Sequence, residues 1–172
     1  MTLSFAEVDM EWLRFDWAFL AVILVKLVLA FLLTVPIAWE RERSTRIMGL
    51  RTFPLVAIAS CSYILIAISI DPDGLEARGR AIQGLLGGIG FIGGGAILKE
   101  GANVKGTATA ASIWATGAIG VAIAFSRYEI ALVLSALTFA LLQFLTPVEE
   151  KMGKEDQPDD TGDGETEDDD QD

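Results

Sequence analysis

The chain has 172 residues, of which 52% are hydrophobic, and a formal net charge of −11; its mean hydropathy is +0.45. The apolar residues fall in blocks of 16 to 22 residues with almost no charge, which matches the span of a bilayer core and excludes a soluble domain with alternating patterning. Residues 149 to 172 hold 13 acids and 2 bases, so the acidity belongs to a tail and the other 148 residues carry none of it in net.

The first 17 residues read as an external or interfacial segment. Glu7, Asp9 and Glu11 stand where a cleavable signal would carry positive charge, and Trp12, Phe15 and Trp17 form an aromatic belt. The first span is expected from Ala18 to Trp39. Its one clear intramembrane charge is Lys26, whose stem can carry the amine toward the nearer interface. A polar loop follows, from Glu40 to Thr52. The second span is expected from Phe53 to Ile70 and holds the lone cysteine, Cys61, as a small core residue. The third is expected from Ile82 to Leu98. Seven of the twelve residues from Gly84 to Gly95 are glycine. Gly84/Gly88 and Gly90/Gly94 make pairs that let helix backbones approach closely. The fourth, Thr107 to Phe125, repeats alanine at Ala108, Ala111 and Ala115, a matching small-residue face. Either these two faces pack closely, or the glycine segment opens into a carbonyl-lined element that binds or gates something. The fifth span is expected from Tyr128 to Thr146. No block shows the 9–11-residue alternation of a membrane strand. The expected fold is therefore all-α, with about five transmembrane helices over residues 18–147 and an acidic disordered tail over 148–172.

Five spans place the termini on opposite sides. One side collects Arg41, Arg43, Arg46, Arg51, Lys99, Lys105, Lys151 and Lys154, and the other Arg14, Arg78, Arg80 and Arg127. The excess of positive charge sets the first side as cytoplasmic, with the N-terminus outside. The protein is expected to be multi-pass in the cell membrane.

Little here speaks for chemistry. The sequence has no histidine, and no motif joins a nucleophile to a base or sets out metal ligands. An enzyme is not expected, and neither a cofactor nor a nucleic-acid partner. Spans two to five hold no carboxylate away from their ends, where a cation path would put one. A candidate polar cluster can still be named. Glu40, Arg41, Arg51, Thr52, Lys99, Lys105, Thr107 and Thr109 should lie near the cytoplasmic face, with Glu40 paired to an arginine such as Arg51. Arg80 and Gln83 should lie near the outer face. Beyond the lipid bilayer, the expected partners are other membrane proteins and a second copy of the chain.

Four blocks in order resemble the MgtC/SapB family of membrane proteins. They are Glu40-Arg41-Glu42 with Gly49-Leu50-Arg51-Thr52; Arg80-Ala81-Ile82-Gln83-Gly84; Gly88-Ile89-Gly90-Phe91-Ile92-Gly93-Gly94-Gly95-Ala96-Ile97-Leu98; and Val104-Lys105-Gly106-Thr107-Ala108-Thr109-Ala110-Ala111-Ser112-Ile113-Trp114. The resemblance is to the form without the soluble C-terminal domain. It implies a link to magnesium homeostasis and a role as an accessory or regulator of other membrane proteins. The alternative it leaves open is an oligomeric transporter or channel for Mg²⁺ or another cation.

Overall fold

A computed structural model describes residues 16–44, 48–100 and 103–155; the outermost N-terminal segment and the end of the acidic tail lie outside the described residues. Five helices follow one another: α1 (Trp17–Ser44), α2 (Thr52–Ile70), α3 (Leu75–Gly95), α4 (Thr107–Ala124) and α5 (Tyr128–Glu155). Two short strands, β1 (Leu98–Glu100) and β2 (Asn103–Lys105), join α3 to α4 as an antiparallel hairpin in which Leu98 faces Lys105 and Lys99 faces Val104.

Local chemistry sets the helix ends. Asp16 accepts hydrogen bonds from the N–H groups of Ala18 and Phe19 at 2.9 and 3.0 Å and so caps α1. The last turn of α1 carries Arg41 and Arg43, which suit the negative end of the helix dipole. Pro36 lies inside α1, where it removes one donor and crowds the preceding turn. The Ser135 hydroxyl of α5 donates to the Leu33 carbonyl in that turn and ties α5 to α1 beside the proline, whose missing donor would have served Leu32. Pro54 falls in the first turn of α2, where a missing N–H costs nothing. Gly106 precedes α4 with φ +89°. A Cβ there would run into the Ala96 carbonyl, so both the dihedral and the space call for glycine. Ser126 takes the left-handed position after α4 at φ 58°, and the Arg127 N–H reaches back to the Ala122 carbonyl at 2.8 Å, closing the helix end.

α4 is the hub. It packs on each of the other four helices, and its buried face runs through Thr109, Ser112, Ile113, Thr116, Gly117, Ile119, Gly120 and Ile123. Around it gather Ile37, Phe53, Ala57, Cys61, Ile64, Ile89 and Ala131. The tightest approach is between α2 and α4. A Cβ on Gly120 would meet the Ala57 carbonyl, and one on Gly117 would meet the Ile89 side chain. Ser112 and Thr116 donate to the carbonyls of Ala108 and Ser112 at 2.6 and 2.8 Å, which keeps buried hydroxyls satisfied within the helix.

The structure departs from the sequence reading in five places, the first being that α1 runs on through Ser44, so Glu40–Ser44 are helical rather than part of the polar loop. The third helix begins at Leu75 and ends at Gly95, because the acidic turn at Asp71–Gly74 releases the chain straight into a helix that Glu76, Arg78 and Arg80 tolerate at an exposed end. Leu98–Glu100 and Asn103–Lys105 pair as a hairpin where a plain loop followed the expected third span. α5 continues through Glu155, so residues 148–155 are helical rather than part of a disordered tail. Finally, four helical segments are long and apolar enough to cross a membrane: Trp17–Ser44, Thr52–Ile70, Thr107–Ala124 and Tyr128–Leu145. α3 is not one of them, since its glycines and its charged first turns dilute its apolar character.

Candidate functional site

Two contacts fix how the helix ends meet. The Lys26 ammonium of α1 donates to the Ala124 carbonyl, the last residue of α4, at 2.7 Å. Further along α1, the Leu33 carbonyl receives Ser135 of α5. α5 therefore leaves the end of α4 and runs in the direction of α1. α4 and α5 run opposite ways, since only three residues join Ala124 to Tyr128 and Ala108–Ala115 and Thr138–Leu145 line one shared groove. The N-terminus of α4 then lies at the C-terminal end of α1. α3 returns along α4, with Gly93 3.4 Å from the Ala110 carbonyl and Gly90 3.9 Å from Trp114 Nε1, measured from an added Cβ.

One end of the bundle thus collects the C-terminus of α1, the N-terminus of α2, the hairpin and the N-terminus of α4. Eight of the ten residues named for the polar cluster stand there: Glu40, Arg41, Arg51, Thr52, Lys99, Lys105, Thr107 and Thr109. Arg80 and Gln83 stand in the first half of α3, toward the opposite end. Among the eight, environments differ sharply. Arg41 is only 2% exposed and is the largest fully buried side chain, whereas Arg51, Lys99 and Lys105 are exposed. Thr109 is completely buried, and its hydroxyl has no hydrogen-bond partner among the described residues. Thr107 is exposed at the start of α4, a helix whose first turn receives no side-chain cap.

The expected Glu40–Arg51 ion pair is not formed among the described residues. Glu42, on the next turn position, takes the structural part instead. Its carboxylate accepts the Leu50 N–H at 3.1 Å and lies so close to Gly49 that a Cβ there would collide with it. A carboxylate placed just before α2 suits that helix's positive end. Arg80 pairs with Glu76 at 2.8 Å one helical turn away, with both side chains largely exposed, so the pair adds little to stability.

The small-residue faces also sort differently from the sequence reading. Gly84, Gly88 and Gly94 have nothing within 4 Å of an added Cβ, and only Ile89 and Gly93 of α3 are buried. Close approach within the chain uses Gly93, Gly117 and Gly120, none of them a position that spacing alone singled out. Gly84 and Gly88 instead wall an open groove of about 710 Å3 between α2 and α3, with Leu55, Ala59, Tyr63 and Ile92. Ala108, Ala111 and Ala115 turn away from α3 and line a smaller groove of about 330 Å3 against α5. Lys26 was read as snorkelling; its amine ends on a backbone carbonyl. A sequence signal for that contact did exist, a single charge in an apolar helix, but its acceptor is 98 residues away.

Comparison with known proteins agrees with this architecture. The family model described as MgtC family matches residues 27–151. Protein MgtC of Salmonella typhimurium is 38% identical over 109 residues, 63% of this chain and 46% of that protein. Protein MgtC of Brucella abortus is 36% identical over 119 residues, 69% of this chain and 49% of that protein. Protein SrpB of Synechococcus elongatus is 33% identical over 139 residues, 74% of this chain and 75% of that protein. The chain spans about half the length of the MgtC proteins it matches. No solved structure matches. The family match extends from the middle of α1 into α5 and takes in the hairpin, both grooves and the polar end of the bundle, so the chain is a membrane protein of the MgtC family.

Proposed function

We propose that this protein is an accessory or regulatory component of the cell membrane, linked to magnesium homeostasis, that acts by lying against another membrane protein. The carrying observation is the distribution of close packing. The centre of the bundle is filled, with Gly117 and Gly120 of α4 pressed onto Ile89 and Ala57, while the outward face of α3 stands open along Gly84, Gly88 and Gly94. A filled centre suits a partner-binding protein better than a conduit. An open glycine face beside an apolar groove suits a transmembrane helix, because close van der Waals approach is what holds helices together in lipid. In this reading α3 also crosses the membrane, shielded by α4 on one side and by a partner on the other. The N-terminus is then outside, and α5 ends in the cytoplasm.

The test is reconstitution of the purified chain in liposomes loaded with a Mg²⁺-sensitive dye, alongside cross-linking in its native membrane. Folded protein should carry no flux above empty liposomes, and Gly88→Leu should lose its cross-linked partners while keeping its thermal stability. Flux that tracks the amount of protein would overturn the accessory reading in favour of a transporter.

A further inference from the structure

The hairpin between α3 and α4 pairs chiefly with itself, yet its composition is unusual for a connector. Leu98, Lys99, Val104 and Lys105 are all exposed, as is Ile97 just before β1. The register pairs Leu98 with Lys105 and Lys99 with Val104. Directly opposed residues project to the same side of a ribbon, so each face of the hairpin presents one aliphatic group and one ammonium. A solvent-facing turn has no need of the aliphatics, and a buried one would exclude the lysines. The boundary between lipid tails and headgroups accepts both, since lysine stems lie along apolar surface while the amine reaches the phosphates.

Position agrees with composition. The hairpin sits where α3 ends and α4 begins, with the exposed Arg51 and Arg43 at the same end of the bundle. Of the acids there, Glu42 is turned onto the Leu50 N–H, and Glu40 and Glu100 stand at the same end, against Arg43, Arg51, Lys99 and Lys105. The uncapped first turn of α4 adds a positive helix end. The acidic tail leaves from a different level. Leu145 shares a groove with Ala108, and α5 then continues to Glu155, about 15 Å further at 1.5 Å per residue. The described end of α5 therefore lies beyond the level of the hairpin.

We propose that the β1–β2 hairpin is a docking surface for anionic phospholipid: Lys99 and Lys105, with Arg51, take the headgroup phosphates, and Ile97, Leu98 and Val104 enter the acyl boundary. This rests on the membrane reading above. The experiment uses the full chain reconstituted in phosphatidylcholine bilayers with spin-labelled phosphatidylglycerol or spin-labelled phosphatidylcholine, comparing the fraction of each label immobilised at the protein. The native chain should prefer phosphatidylglycerol. The double variant Lys99→Gln/Lys105→Gln should lose that preference by about fivefold or more, as expected for removing basic groups at an anionic surface. Arg127→Gln, at the other end of the bundle, should retain it. Equal immobilisation of both lipids by the native chain, or loss in Arg127→Gln with retention in the double variant, would overturn the proposal. Failure of the membrane reading would look different, because the protein would then be stripped from vesicles by alkaline washing. Both substituted side chains are exposed, so unchanged thermal unfolding of the double variant separates lost binding from lost folding.

Discussion

An ammonium at the centre of a lipid layer costs roughly 2.5–3.5 kcal/mol on insertion scales. Lys26 avoids that cost by reaching the terminal carbonyl of α4, where the helix dipole is negative. A hydrogen bond from a charged donor is worth about 1.5–3 kcal/mol. Lys26→Met keeps the length and loses the donor, so thermal unfolding in detergent should show a loss of about 1.5–3 kcal/mol, with most of it restored in Lys26→Arg. A methionine variant as stable as the parent would mean that the carbonyl is served equally well by water. Thr109 poses the opposite case. Its buried hydroxyl has no partner among the described residues, and an unsatisfied buried polar group costs about 1–3 kcal/mol. Thr109→Val keeps the shape and removes the hydroxyl. The same unfolding measurement should therefore show no loss, or a gain of about 1 kcal/mol. A clear loss would show that the hydroxyl is engaged in the membrane-bound protein.

Glycines separate into two kinds at the level of the helices, and the separation is testable. Gly120→Ala puts a methyl into the Ala57 carbonyl; neither backbone can yield cheaply, and overpacking of this sort costs about 1–3 kcal/mol. Gly88→Ala meets nothing within 4 Å and should be neutral or gain up to about 1 kcal/mol from helix propensity. Thermal unfolding of the two variants side by side should rank them in that order, and the reverse ranking would mean that α3, not α4, carries the packing. The pattern also shows why some of the fold was readable from sequence and some was not. Long apolar blocks declare helices whatever surrounds them, so α1, α2, α4 and α5 could be placed to within a few residues, except for the extra turns of α5 beyond Thr146. Glycine at four-residue spacing declares only that a backbone could approach, not from which side. Gly84/Gly88, four apart, and Gly117/Gly120, three apart, each put two glycines on one helix face, and the choice between them depends on how α2 lies across α4. The hairpin was hidden for a related reason. Two three-residue strands are too short for alternation to register, and the glycine at Gly106 reads as any loop residue until its dihedral is seen.

For the whole molecule the feature of greatest consequence is how α3 lies relative to the membrane. The charge asymmetry of the sequence assumed that it does, and eight of the ten polar-cluster residues do gather at one end of the bundle. Yet among the described residues four helices are apolar enough to cross unaided. The packing gives a physical reason for counting the fifth. α3 runs back along α4 from Ala96 beside Gly106 to Gly90 beside Trp114, and α4 is itself one of the four apolar spans. A helix held antiparallel to a crossing helix shares its layer, and its exposed glycines then need protein, not water, on their free side. Sided labelling decides the matter. Cys61 is buried and can be replaced by alanine to leave no native thiol. Single cysteines are then introduced as Asp73→Cys, in the turn before α3, and Lys99→Cys, in the hairpin after it. In intact cells an impermeant maleimide should label the Asp73→Cys protein at once and the Lys99→Cys protein only after the membrane is opened. Labelling of both from the same side would mean that α3 lies in the interface, that the chain crosses four times, and that its two termini share a compartment.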